Sequence, residues 1–279
     1  MAQLLIFGPG YTASRIADAV VLQGWSVIRA DRAMLADDAA ALAAIGRATH
    51  ILSSVPPADG EDPILARYGA ALAAAPARWI GYLSSTGVYG DTGGAWVDES
   101  AVFGGGRRAA RTQADAAWRA LHAEARIFRL PGIYGPGRSA IERVREGRAH
   151  RIDLPDQIFS RIHVDDIVAG VLAAIERGPP GAYNLADDEP ASQNAVIETT
   201  CALLGLAPPP LLAIEAAGLS AQARAFYGEN RRVANGKAKR LLGWRPTFPD
   251  YRTGLRALNA ITRPPSTIAP PSADSHAQT

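Results

Sequence analysis

The stretch 4–13, which reads LLIFGPGYTA, decides the fold class of this chain. Its apolar residues predict a buried strand that ends at Gly8, and a helical pattern starts directly after Gly10. The spacing is G-x-G-x-x-A, in which Gly8 would form the turn, Gly10 would leave room for phosphates and Ala13 would let the helix pack closely on the strand. The segment therefore predicts a dinucleotide-binding βα turn, although an ordinary βα turn of another α/β fold also needs glycine.

The bulk composition is that of a globular chain of 279 residues, with 48% hydrophobic and 20% charged residues. A net charge of +2 argues against a nucleic-acid partner. The single cysteine, Cys201, excludes an internal disulfide, fits a reducing cytoplasm and is expected in the core. No apolar run reaches the roughly 18 residues that span a bilayer, and the five scattered histidines have no metal-ligand spacing, so we expect neither a membrane segment nor a metal.

Strand and helix patterns alternate along the chain. Strands are predicted at 3–7, 26–30, 50–55, 79–84, 125–130 and 182–185, and helices at 11–23, 36–45, 62–74, 107–122, 165–177 and 193–204. A further short helix is expected after Asn235, which would cap it. This order predicts an α/β fold, a Rossmann-type doubly wound parallel sheet with a small C-terminal α+β substrate lobe. We expect one domain over 1–262, with the lobe drawn mainly from about 138–164 and 188–258, and a disordered tail over 263–279.

Polar residues follow the predicted strands where a dinucleotide would lie. Asp31 stands 21 residues after Gly10, where a carboxylate can bind the adenosine ribose hydroxyls and select NAD. Arg32 follows it and could instead bind a 2′-phosphate and select NADP, so both cofactors stay open, with NAD favoured. At the end of the next strand, the stretch 53–55 would line the groove, unless it is a plain strand exit.

Five segments carry a resemblance to a known family. They are LSSTGVYGD at 83–91, RLPGIYGPGR at 129–138, RIHVDDI at 161–167, YNL at 183–185 and LGWRP at 242–246. In this order they resemble the motifs of the extended short-chain dehydrogenases/reductases, the relatives of the sugar-nucleotide epimerases and dehydratases. The resemblance covers about residues 3–258 and implies NAD(P) binding.

The resemblance fails at the family's catalytic pair, a tyrosine that transfers a proton and, four residues on, a lysine that binds the nicotinamide ribose. The matching helix reads RRAARTQAD from residue 107, which places Arg107 at the tyrosine position and Arg111 at the lysine position. Lysine occurs only at Lys237 and Lys239. Arginine can hydrogen-bond ribose hydroxyls but cannot donate a proton at neutral pH, so the chain is similar to atypical members of the family.

The remaining candidates follow from the same alignment. Ser85 takes the position of the family's catalytic Ser/Thr, and the phenols of Tyr89 and Tyr134 are alternative proton donors. His163 could be an acid/base, but its motif usually serves packing and helix capping. The expected catalytic residues are Ser85, Tyr89 and Arg111. The expected cofactor-binding residues are Gly8, Gly10, Tyr11, Thr12, Asp31, Arg32, Ser53, Ser54, Val55, Ser84, Arg111 and Pro131.

Two functions of different classes remain. The first is an NAD(P)-dependent oxidoreductase or epimerase-like enzyme for a small polar substrate, sugar- or nucleotide-linked, that lacks the usual Tyr-x-x-x-Lys pair. Arg138 and Arg161 would clamp an anionic substrate, or else be surface charges. The second is a non-catalytic dinucleotide-binding sensor or scaffold, and a weaker reading is an isomerase or lyase. The family's dimers use the helix equivalent to 107–122, whose apolar face suits either a homodimer or packing on its own sheet.

Overall fold

A computed structural model of the chain describes residues 2–102 and 109–262. In chain order the strands are β1 (Gln3–Phe7), β2 (Ser26–Ala30), β3 (His50–Ser53), β4 (Trp79–Ser85), β5 (Trp96–Val97), β6 (Ala125–Leu130), β7 (Gly132–Tyr134), β8 (Arg151–Ile152), β9 (Arg161–His163), β10 (Gly181–Asn184), β11 (Leu211–Leu212) and β12 (Arg232–Val233). The helices are α1 (Tyr11–Leu22), α2 (Asp38–Arg47), α3 (Pro63–Ala73), α4 (Ala109–Leu121), α5 (Ala140–Arg145), α6 (Val164–Arg177), α7 (Gln193–Leu204), α8 (Ala221–Phe226), α9 (Gly236–Leu242) and α10 (Tyr251–Thr262).

The centre of the fold is a six-stranded parallel sheet in the order β10-β6-β4-β3-β1-β2. Successive residues of β1 alternate between its two faces, as the pleat requires. Leu4 and Ile6 pack with α1 and α6 in one core, whereas Leu5 and Phe7 pack with α2, α3 and α4 in the other. Helices therefore cover both faces, and the predicted doubly wound Rossmann-type α/β fold is confirmed.

Several boundaries of the strands and helices differ from the predicted ones. The third strand ends at Ser53 rather than at residue 55. The second helix starts at residue 38 because the Asp37 carboxylate accepts the backbone N–H of Ala40 at 3.1 Å. Asn235 precedes α9, but the predicted side-chain cap is wrong, since its amide donates to the Ala186 carbonyl at 2.8 Å instead.

A smaller lobe is built beyond the carboxyl ends of the strands. Its three two-stranded parallel sheets pair β7 with β9, β8 with β11 and β5 with β12. A separate apolar core, which includes Ile141, Ile197 and Leu255, joins α5, α7 and α10. Because β7 starts two residues after β6 ends, the chain passes from the sheet into the lobe at Pro131. The tail expected at 263–279 lies outside the described residues.

The helix α4, which the sequence suggested as a dimer interface, packs on its own sheet. Ala114 and Trp118 of α4 are buried, and the Trp118 ring stacks on Tyr82 of β4 with centroids 5.3 Å apart. The Trp118 indole N–H donates to the Asp62 carboxylate at 2.8 Å, which ties α4 to the start of α3. Homodimer formation stays a prediction. Among the described residues, no helix is long and apolar enough to cross a membrane.

Candidate functional site

A cleft of about 840 Å³ lies between the carboxyl ends of the strands and the lobe. Its sheet side includes the predicted residues Gly10, Tyr11, Thr12, Ser54, Ser84, Ser85, Arg111 and Pro131. Its lobe side includes Arg138, Arg143, His150, Phe159, Arg161 and Tyr227. The fold thus brings most of the predicted cofactor residues to the place where ligands bind in open α/β sheets.

The glycine turn has the geometry that the sequence predicts. Gly8 has φ +72°, and a Cβ on it would lie 2.7 Å from Cγ2 of Val55. A Cβ on Gly10 would meet nothing closer than the Gly8 carbonyl oxygen at 3.9 Å, so the backbone there is open to the cleft. Gly8 and Val55 therefore pack together on the side of the turn away from the cleft. Gly10 is the glycine that a ligand can approach.

The N-terminus of α1 presents unsatisfied N–H groups to the cleft. Its first turn holds no acidic residue, and no side chain caps it. The Tyr11 hydroxyl donates to the Pro136 carbonyl at 3.0 Å, and the Arg138 guanidinium lies 5.6 Å from the Tyr11 ring centroid. The positive end of the helix and a positive side chain thus face the same part of the cleft, which suits an anion.

The residues predicted to choose between the cofactors lie at the neighbouring strand end. Asp31 and Arg32 are exposed and follow β2, which pairs with β1 so that Ala30 stands opposite Phe7. The Asp31 carboxylate accepts the backbone N–H of Met34 at 3.0 Å, which fixes its position. Both side chains are therefore beside the glycine turn, outside the walls of the main cleft.

The serines that follow β3 have different surroundings. The Ser54 hydroxyl donates to the Gly8 carbonyl at 2.6 Å and so braces the glycine turn. Ser53 is fully buried, and its hydroxyl has no hydrogen-bond partner among the described residues. Ser54 lines the cleft and Ser53 does not, so only the second of the two predicted serines faces the groove.

A buried network corrects the role expected for Tyr89. Ser84 donates to Asp115 at 2.6 Å, and Arg129 pairs with the same carboxylate at 2.8 Å. Arg129 also donates to the Tyr89 oxygen at 3.1 Å, and the Tyr89 hydroxyl donates to the Asn184 side chain at 2.8 Å. Burial raises the pKa of Tyr89, and its ring is not part of the cleft wall. Its phenol joins the turn after β4 to β6 and β10 and is not placed to donate a proton to a substrate.

Ser85 and Arg111 face the cleft together. The Ser85 oxygen accepts the backbone N–H of Gly87 at 3.1 Å, which orients the side chain and leaves its own proton available. Arg111 lies near the start of the described part of α4, and no hydrogen bond or ion pair joins its guanidinium to another described residue. Arg107, which would take the tyrosine position, lies outside the described residues.

The sequence offered two roles for Arg161, a clamp for an anionic substrate or a surface charge. The structure supports neither of them. Arg161 is buried, and its guanidinium donates to the carbonyls of Phe159 and Ala191 at 2.9 and 2.8 Å. Desolvation by burial lowers its pKa to about 10. Arg161 therefore holds the segment before β9 in place with most of its donors already used.

Two further candidates are also internal. The His163 Nδ1 atom accepts the backbone N–H of Asp165 at 3.3 Å, so the residue caps α6. Its ring packs against Phe248 with centroids 4.1 Å apart. The Tyr134 hydroxyl has no hydrogen-bond partner in the described part of the chain, and burial raises its pKa. Capping and packing explain His163, while Tyr134 lies in the cleft wall as a poor acid.

Sequence reasoning missed Arg143, His150 and Tyr227 on the lobe side of the cleft. Arg143 belongs to the last turn of α5, and Tyr227 follows α8 more than 80 residues later. Burial lowers the pKa of His150, and the nearby Arg143 charge lowers it further. The arginine-rich stretch 138–151 is the one signal that could have pointed to this wall.

Comparison with known proteins finds solved structures that share this fold. No protein-family model matches the chain. A functionally unknown conserved protein from Silicibacter pomeroyi DSS is 42% identical, with a TM-score of 0.82 over 94% of this chain and 99% of that one. The human epimerase family protein SDR39U1, solved with NADPH, is 17% identical, with a TM-score of 0.73 over 92% of this chain and 99% of that one.

A curated relative comes from a Streptomyces species. It is the 3-diazoavenalumate denitrifying reductase, 32% identical over 143 residues, which are 46% of this chain and 45% of that protein. The match thus spans about half the length of that relative. Because the Silicibacter pomeroyi protein matches at 42% identity over nearly the full length of both chains, this chain belongs to the same family as that protein, and in its motifs and fold it resembles the extended short-chain dehydrogenases/reductases.

Proposed function

We propose that the chain is an NAD(P)-dependent oxidoreductase that transfers a hydride to or from a small polar substrate. The observation that carries this proposal is the open glycine turn, where Gly10 and the uncapped N-terminus of α1 face a large cleft. Backbone N–H groups in this arrangement suit a pyrophosphate, and Asp31 and Arg32 lie beside it where the ribose of the adenosine would be. The NADPH in the human structure and the NAD in other structures of this fold support the assignment.

The chain's own residues would divide the work in the cleft. Arg111 would donate to the hydroxyls of the nicotinamide ribose, in place of the family's lysine. The Ser85 hydroxyl, already oriented by Gly87, would donate to an oxygen or nitrogen of the substrate. The cofactor, when bound, supplies or accepts the hydride. Pro131 and the segment after it would form the floor beside the reacting atoms.

The missing tyrosine restricts the chemistry that this site can perform. Reduction of a carbonyl consumes a proton, and arginine at the tyrosine position cannot supply it. By contrast, an arenediazonium ion that gains a hydride and loses dinitrogen balances without any proton. The name of the Streptomyces relative, a denitrifying reductase of a diazo compound, supports substrates of this proton-independent kind. We therefore extend the proposal to hydride acceptors that carry a neutral leaving group.

A second candidate is a dinucleotide-binding protein without turnover. The observation that favours it is the placement of Tyr89, whose phenol is buried in a network with Arg129 and Asn184 and so leaves no obvious acid beside Ser85. Such a protein would bind the cofactor through the same turn and report its redox state. The two candidates separate once a cofactor-loaded sample is tested for oxidation of NAD(P)H by candidate substrates.

The first test is the affinity of the purified protein for NADH and NADPH, measured by titration calorimetry. Replacing Arg111→Ala should weaken binding about tenfold, because a charged donor to the ribose is lost. Arg119→Ala is the matched control, since Arg119 lies on the same helix but is exposed and outside the cleft. Unchanged affinity in the Arg111 variant would remove that residue from the site. Failure of both cofactors to bind the wild-type protein would end the proposal.

A further inference from the structure

Arg143 is a cation on the lobe wall that the proposed cofactor site does not use. Three other arginines of the lobe wall have partners, and two of them form ion pairs: Arg148 pairs with Glu146, and Arg231 pairs with Glu229 at 2.8 Å. The third, Arg161, donates hydrogen bonds to backbone carbonyls. No hydrogen bond or ion pair joins the Arg143 guanidinium to another described residue, although it lines the cleft.

The helix that carries Arg143 is held firmly. Ser139 caps α5, since its hydroxyl accepts the Ile141 N–H at 3.0 Å while Glu142 accepts the Ser139 N–H at 2.8 Å. This also occupies the Glu142 carboxylate, which would otherwise be the nearest counterion for Arg143 on its own helix. The two acidic side chains of the cleft wall, Glu142 and Glu229, thus have other partners, and neither forms an ion pair with Arg143.

The neighbours of Arg143 combine charge with a flat apolar surface. The Arg143 side chain is exposed to the solvent in the cleft, and the partial burial of its guanidinium by the cleft walls lowers its pKa. Tyr227 lies near both Arg143 and Arg161, whose charges oppose the rise that burial causes in its pKa. The Tyr227 ring meets Phe159 edge to face, with centroids 5.6 Å apart, and both rings line the cleft.

We infer that Arg143 anchors an anionic group of the substrate, a carboxylate or a phosphate, while Phe159 and Tyr227 receive the flat apolar body attached to it. A guanidinium that lines a cleft without a partner is free to bind a charged acceptor, and its fork matches the two oxygens of such a group. The inference rests on the proposed function in one respect. The cofactor phosphates take the α1 end beside Arg138, which leaves Arg143 for the second ligand.

Simple probes can test this subsite without knowledge of the substrate. Cinnamate and cinnamamide have the same shape and differ in charge, and phenyl phosphate distinguishes a preference for phosphate. Binding of each is measured by ligand-observed NMR titration with the full-length protein, with and without NADPH. We expect both anions, or one of them, to bind at least about tenfold more tightly than the amide, and Arg143→Gln to remove this advantage.

Arg145→Gln is the matched control, because Arg145 lies on the same helix, is exposed and is outside the cleft wall. It should bind the anions like the wild type, and thermal melts should show that both variants fold. Equal binding of cinnamate and cinnamamide, no anion binding at millimolar concentration, or an unchanged preference in Arg143→Gln would each overturn the inference. If NADPH fails to bind but the Arg143-dependent preference persists, the proposed function falls and the anion subsite stands.

Discussion

Gly8 and Gly10 stand two residues apart and satisfy different constraints. Gly8 combines a left-handed backbone with the close approach of Val55, whereas Gly10 has an ordinary extended backbone and open space where a side chain would be. The first is required by the fold of the turn and the second by whatever approaches the turn. The two glycines therefore separate stability from ligand binding at neighbouring positions.

This difference gives a prediction for alanine at each position. Gly8→Ala should lower the free energy of unfolding by about 1–3 kcal/mol, because Cβ meets Val55 and the positive φ becomes strained. Gly10→Ala should keep its stability and lose most of its affinity for NAD(P)H, since the methyl group enters the anion site. Chemical denaturation and cofactor titration of both variants check this. Equal stability losses, or full affinity in Gly10→Ala, would contradict it.

Single residues also show where sequence reasoning ends. The turn at Gly8 and Gly10 could be predicted because its determinants lie within one short stretch. The buried network of Tyr89 could not be predicted, because its partners Arg129 and Asn184 come from strands 40 and 95 residues away. The role of Arg161 could not be predicted for a related reason. Its hydrogen bonds go to backbone carbonyls, which every residue has and which the sequence therefore does not reveal.

At the scale of elements, α5 determines whether the lobe wall carries a fixed charge. The helix has six residues, too few to be stable alone, so its cap and its apolar contacts through Ile141 hold it. The wall itself combines this helix with the residue that follows α8. Periodicity predicts individual elements, but not that these two meet, which is why Arg143 and Tyr227 escaped the sequence analysis.

Removal of the cap tests this dependence. Ser139→Ala should cost about 1 kcal/mol of stability and should also weaken cinnamate binding, because the end of α5 would fray and Arg143 would lose its position. Asp37→Ala is a suitable comparison, since it removes the cap of α2, which packs on the central sheet and contributes no residue to the cleft wall. Its stability loss should be similar, but its ligand binding should be that of the wild type. A loss of binding in both variants would point to a general loosening instead.

At the scale of the whole molecule, a buried histidine in the central sheet makes the stability depend on pH. His50 of β3 is buried between Trp25 and Trp79, with ring centroids 4.4 and 6.3 Å away. Burial lowers its pKa to about 4, and the charges of Arg78 and Arg126 act in the same direction. The unfolded chain therefore takes up a proton at higher pH than the folded one. Stability that His50 contributes above about pH 6.5 is lost as the pH falls towards 4.

We predict that His50→Gln flattens the acid side of the stability curve. For the wild type, the free energy of unfolding should fall by up to about 3 kcal/mol between pH 6.5 and 4 through this one group. Urea denaturation of both proteins at several pH values gives the difference, which also cancels the opposite trend from Asp187, whose pKa burial raises to about 8. Parallel curves for the two proteins would show that His50 titrates normally in the folded state.

The cleft is rich in guanidinium groups, and the chain has no lysine before Lys237. Both lysines lie on α9, where Lys239 pairs with Asp188 outside the cleft wall. An aldehyde or ketone that enters this cleft therefore meets no side-chain amine that could capture it as an imine. Simple aldehydes and ketones can therefore enter without forming an imine with the cleft walls, whereas α-dicarbonyl compounds, which condense with guanidinium groups, would react there. Reagents that acylate lysine would modify α9 and leave the walls of the cleft without a modified lysine.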